Sequence, residues 1–138
     1  LPLNFIKMKY FTLKELTRST TATAKGIDNT PTPEVEKNLT LLVENVLDPL
    51  REIYGKPITV NSGYRCPELN KAVGGSKTSD HVKGFAADIT GGSKEENERL
   101  FNIIKHNFHF KQLINERDFS WVHVSYDPSN LKNQILKL

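Results

Sequence analysis

Two stretches of this chain, GFAADI and SWVHVSY, alternate in character from one residue to the next, and that alternation constrains the fold more than any other feature. Successive side chains of a β-strand point to opposite faces. Gly84, Ala86 and Asp88 therefore share one face, with Phe85, Ala87 and Ile89 on the other. Trp121, His123 and Ser125 likewise stand together, with Val122, Val124 and Tyr126 behind them. Each strand is small or polar on one side and apolar on the other. Both must lie in a sheet whose apolar face is covered and whose polar face forms a cleft.

The covering elements read as helices. Thr32 followed by Pro33 and Glu34 is a helix start: a hydroxyl cap, a proline in the first turn and an early negative charge. Leu39, Leu42, Val43, Val46, Leu47, Leu50 and Ile53 then recur at three- and four-residue steps, giving one buried face up to Gly55. Pro49 lies inside this stripe and predicts a kink or a break near Asp48. A second long helix begins at Ser93, with Glu96 completing a capping box and Leu100, Phe101, Ile104 and Phe108 facing inward. Shorter signals predict a helix over 12–17, a connecting loop without chemistry over 19–30, a strand over 57–61 and a helix over 67–73 closed by Gly74 and Gly75. Strands follow over 111–115 and 121–126. Helices first and a small antiparallel sheet later make an α+β domain.

The polar faces carry the chemistry. His81, Asp88 and His123 form a mixed nitrogen and oxygen ligand set that suits a single zinc ion, and three protein ligands leave a fourth tetrahedral position open, as in catalytic rather than structural sites. His106 and His109, near the end of the second long helix, read as solvent-facing or helix-capping. Small residues at Gly84 and Ala86 would leave space beside the metal for a peptide, with Trp121 as its wall; taken alone, Gly84 reads equally as a bulge and Trp121 as core filler.

SGYRCPELNKAVGG, SDHVKGFAAD and WVHVSY, in that order, resemble the peptidase M15 family: zinc D-Ala-D-Ala carboxypeptidases and phage or prophage endolysins that cut peptidoglycan stem peptides. The resemblance runs from about Lys9 to the C-terminus, and its core pattern is met by Ser79, His81, Gly84, Ala86 and Asp88. It implies a hedgehog/DD-peptidase-like fold, zinc on His81, Asp88 and His123, and attack of water on a stem-peptide bond at or near a D-amino acid. It also implies that Arg65 meets a substrate carboxylate or carbonyl oxygen, that Ser79 lies near the bound peptide and that Trp121 walls the cleft. Relatives usually place an acidic base three residues before the last histidine, where this chain has Ser120. Glu116 and Asp118, seven and five positions before His123, are the alternatives, with Glu116 preferred; either reads equally as part of a solvated turn.

The chain has 138 residues, enough for one domain over 8–138. Met8 followed by KYFTLKEL reads as a natural start, which makes residues 1–7 upstream sequence without a functional role. Its 19 basic and 16 acidic residues are interspersed without a Lys/Arg block, so no nucleic-acid partner is expected. No signal peptide or membrane span is visible, which leaves location open between the cytoplasm, phage-type release and attachment to another protein. A monomer is expected, and one cysteine, Cys66, excludes an internal disulfide. Two rival readings stand beside the enzyme: a zinc-containing peptidoglycan-binding module without turnover, and a metal-free prophage assembly protein.

Overall fold

The computed structural model describes residues 8–138; the proposed upstream segment, 1–7, lies outside the described residues. Two short helices, α1 (Leu13–Thr17) and α2 (Thr20–Lys25), precede α3 (Pro33–Leu42), which runs through a π-helical turn at Val43–Leu47 into α4 (Asp48–Tyr54). After β1 (Thr59–Ser62) and α5 (Pro67–Ala72), a 3₁₀ turn (Asp80–Lys83) leads into β2 (Ala86–Thr90). Helix α6 (Lys94–Asn107) is followed by β3 (Gln112–Glu116), β4 (Trp121–Ser125) and β5 (Gln134–Lys137). The five strands form one sheet in the order β1-β2-β4-β3-β5. Every pairing is antiparallel except β3 with β5, so the expected α+β architecture is present, with one parallel edge.

The helical layer is built as the stripe dictates. Leu39, Leu42, Val43, Val46, Leu47 and Leu50 are wholly buried against Ile89, Leu113, Val122 and Val124 of the sheet's apolar face. Ile53 departs from expectation: it is 53% exposed, while Tyr54, one turn beyond Leu50, takes the inward place. Proline does not break the helix either. Asp48 keeps right-handed helical torsions, and the widened π turn just before it accommodates the missing amide of Pro49 and its ring.

Caps explain where the sequence reading fails. The segment 19–30 is not all loop, because Ser19 Oγ accepts from Ala22 N and Gly26, at φ 66°, closes α2 by donating to Ala22 and Thr23. Its Thr-rich interior is a poor helix former, so only the caps betray it. At Ser93 the hydroxyl accepts from Glu96 N, but the Glu96 carboxylate turns away from the box to accept from Tyr54 Oη and Lys56 Nζ, both at 2.7 Å. This bond ties α6 to α4.

Gly84 is not a strand residue. It ends the 3₁₀ turn at φ 78°, and a Cβ there would lie 2.9 Å from the Val35 carbonyl oxygen, so helix packing and backbone geometry both require glycine. Gly84 and Ala86 are both buried and neither lines the cleft, so small size there serves packing rather than substrate space.

The Glu96 cluster gives a test. Hydrogen bonds from Lys56 and Tyr54 pull the Glu96 carboxyl down to about 2, while burial and then Glu96 push the Tyr54 hydroxyl up to about 12. Because the folded value of Glu96 lies below its ordinary 4.5, its contribution is whole above pH 4.5 and is lost as pH falls through about 2. The urea midpoint of the wild type should fall more steeply across that window than that of Glu96→Gln.

Candidate metal centre

Neighbouring strands present two of the three candidate ligands. Asp88 on β2 stands directly opposite His123 on β4, and His123 Nδ1 lies 2.9 Å from Asp88 Oδ1. The third, His81, comes from the 3₁₀ turn, with Nε2 3.4 Å from Asp88 Oδ2 and its ring edge-on to His123 at 5.2 Å between centroids. All three donor atoms lie within 4.8 Å of one another. Donors bound at about 2.0–2.2 Å around a tetrahedral zinc would stand about 3.3 Å apart, so the cluster fits that ion with little adjustment.

The cluster is electrostatically prepared for a cation. Burial, the largest influence, pushes the Asp88 carboxyl upward, yet hydrogen bonds and charge from His123 and His81 outweigh it and hold the group well below the usual carboxylate range. His81 Nδ1 donates to the Gly63 carbonyl at 2.7 Å, which fixes the ring with Nε2 facing Asp88.

The segment 62–66 is therefore part of the site. Gly63 is pressed against α1, where any Cβ would overlap the Leu16 carbonyl oxygen. Tyr64 N donates to that oxygen at 2.8 Å, and Arg65 N donates to the His81 carbonyl at 3.1 Å. Asn29 anchors the same segment from outside: its amide donates to Thr17 O and Tyr64 O, and its oxygen accepts from Cys66 N. Neither Gly63 nor Asn29 was singled out from sequence. The SGYRC run flags the segment, but nothing in the chain names its partners. Below His81, Lys111 Nζ pairs with the buried Asp80 carboxylate at 2.8 Å and ties the 3₁₀ turn to the start of β3.

A cleft of about 470 Å³ opens over the three ligands, lined among others by Arg65, Ser79, Glu116 and Trp121. Arg65 is half-buried; burial pushes its guanidinium downward and the Asp88 carboxylate opposes that. Its Nη2 donates to Ser79 Oγ at 3.3 Å, the hydroxyl that also accepts from His81 N. Ser79 thus orients Arg65 and caps the turn carrying His81. Glu116 stands opposite Trp121 in the β3–β4 register, and Ile114 opposite His123, so Glu116 shares the face of His123. Asp118 is not brought to the cleft: it lies in the hairpin turn, 69% exposed, with its carboxylate 2.7 Å from Lys94 Nζ. Ser120 is in the same turn, its hydroxyl donating to Arg117 O. His106 and His109 are exposed and line a separate hollow with Lys105 and Asn133, not the cleft over the candidate ligands.

The importance of the Gly63 contact is open to measurement. Gly63→Ala should cost about 3 kcal/mol by overpacking, read by urea unfolding. The same variant should weaken zinc binding in a competitive chelator titration, because the carbonyl that orients His81 moves.

Comparison with known proteins agrees with this geometry. The peptidase M15 family profile matches residues 9–125. A zinc D-Ala-D-Ala carboxypeptidase from Streptomyces albus G is 36% identical over 85 residues, 61% of this chain. The matched part is 32% of that relative, so this chain spans about a third of its length. With the profile covering most of the chain and His81, Asp88 and His123 all within the matched region, the chain belongs to the peptidase M15 family.

Proposed function

We propose that this domain is a zinc-dependent peptidase that hydrolyses peptide bonds of bacterial peptidoglycan stem peptides, with one zinc ion held by His81, Asp88 and His123. The observation that carries the reading is the position of Glu116, a carboxylate on the same sheet face as His123 and lining the same cleft as all three ligands. The name of the Streptomyces relative, a zinc D-Ala-D-Ala carboxypeptidase, supports the substrate class.

Zinc, when bound, supplies Lewis acidity that makes water a better nucleophile and a carbonyl a better electrophile. The protein's own groups do the rest. Glu116 takes a proton from the attacking water as its oxygen adds to the carbonyl carbon, and returns that proton to the nitrogen as the C–N bond breaks. Arg65, held by Ser79, offers a planar fork of donors to a substrate oxygen. Trp121 walls the cleft on the Glu116 side. The partner is a stem peptide, and the domain acts as a monomer without nucleic acid or membrane.

Mass spectrometry of muropeptides incubated with zinc-loaded protein tests this reading. Glu116→Gln should keep stoichiometric zinc while kcat drops about 10²–10⁴-fold. His123→Ala should lose the metal and the activity together. Intact muropeptides after incubation with protein confirmed to hold zinc would instead favour the binding module, for which the serine at position 120 is the motivating feature.

A further inference from the structure

The cleft over the metal ligands does not end at Arg65. A second hollow of about 400 Å³ lies on the far side of that residue, and Arg65 and Val73 line both. The sheet continues beneath it. Ser62 on β1 stands opposite Asp88, and Thr59 stands opposite Thr90, with Val60 paired to Ile89 in the core layer. Thr90 lies on the face of Asp88 and Thr59 shares it, so the metal-bearing face extends past β2 to the edge strand, whose register shifts between Val60 and Ser62. The order β3, β4, β2, β1 thus sets Ile114, His123, Asp88 and Ser62 in line across one surface, with Glu116 two residues along β3 from Ile114 on the same face. Three strand spacings of about 4.8 Å each leave room for about four extended residues, with the metal ligands in the middle.

The walls of the second hollow have a definite chemistry. Its remaining lining is mostly hydroxyls and an amide, from Ser19, Thr20, Thr21, Thr59 and Asn61. The charged residues that line it are Arg18 and Arg65, and no carboxylate does. Arg18 is exposed and forms no ion pair among the described residues. A guanidinium free to pair, set among hydroxyls, matches an amide-rich chain bearing a carboxylate.

We propose that this hollow is a second substrate basin, that Arg18 binds in it a carboxylate on the peptide chain, and that the bond cut is consequently internal, with chain on both sides of the metal ligands. The proposal rests on the peptidase reading for its catalytic half only. A site for trimming terminal residues needs one end of the cleft closed, whereas here space and complementary charge continue past Arg65.

The test uses paired synthetic stem-peptide dimers that differ in one group two residues from the central bond, placed on either side in turn: a free carboxylate or its carboxamide. Calorimetry on zinc-loaded Glu116→Gln protein should show one carboxylate dimer binding about tenfold tighter than its carboxamide, and Arg18→Gln in that background should erase the preference. Arg18 is on the surface, so the variant should unfold at the same urea concentration as its parent. Wild-type protein should split the dimers centrally. A preference that survives Arg18→Gln, no preference or no binding at all, or wild-type products lacking only a terminal residue would overturn the proposal. An Arg18-dependent preference in a protein that cleaves nothing would keep the basin and remove the peptidase reading and the internal cut.

Discussion

The pairing of β2 with β4 in one register is the constraint on which the rest of this structure depends. That register sets Asp88 opposite His123, close enough for the carboxylate and imidazole to touch. It is fixed from behind, by Ala87 and Ile89 meeting Val124 and Val122 in the buried layer. A slip of one residue would send both ligands into the core and expose the valines, at a cost of several buried aliphatic side chains at about 1.5–3 kcal/mol each. The hydrophobic core is therefore what holds two of the three candidate metal ligands in register.

The third ligand is secured by a different kind of force. His81 belongs to a single 3₁₀ turn, too short to be rigid by itself, and polar contacts to the backbone hold it. Its imidazole donates to Gly63, its carbonyl accepts from Arg65, and its neighbour Asp80 pairs with Lys111 on the way into β3. These bonds are directional, so they set the angle of the ring, which packing alone would leave free. Removing Lys111 would leave the buried Asp80 carboxylate without its partner, a costly state, so the pair keeps the 3₁₀ turn tied to the start of β3.

The hairpin between β3 and β4 shows strain held in place beside a site. Arg117, Asp118 and Phe119 all have positive φ, at 48°, 53° and 59°, a region that costs non-glycine residues about 1–2 kcal/mol each. The turn is held by Asn115, whose side chain accepts from Phe119 N, by Asn97, which donates to Phe119 O and Ser120 O, and by Arg117 N donating to Leu138 O. The outcome is a tight reversal in which Glu116 and Trp121 face each other across the mouth of the cleft, while Asp118 and Ser120 are turned out. The last contact also explains β5: the C-terminal strand pairs with β3 in parallel and braces the turn from outside.

Local pattern determined much of this protein. Alternation along 86–89 and 121–126 settled the faces of β2 and β4, the three- and four-residue steps of α3, α4 and α6 settled most of the helical layer, and the spacing of His81, Asp88 and His123 was readable because each lies inside a short motif. Where cap chemistry outweighed weak propensity, as in α2, composition pointed to loop instead, and β5, an edge strand with no fully buried residue, offered no apolar signal to single it out. The partners of Gly63, the service of Ser79 to Arg65, the choice of Glu116 over Asp118 as the carboxylate in the cleft, and the continuation of that cleft toward Arg18 were decided only by tertiary structure. The physical reason is the same in each case. Periodicity records which side of an element meets the core, whereas these features depend on which distant residue stands opposite, and strand register and turn conformation determine that only once the chain is folded.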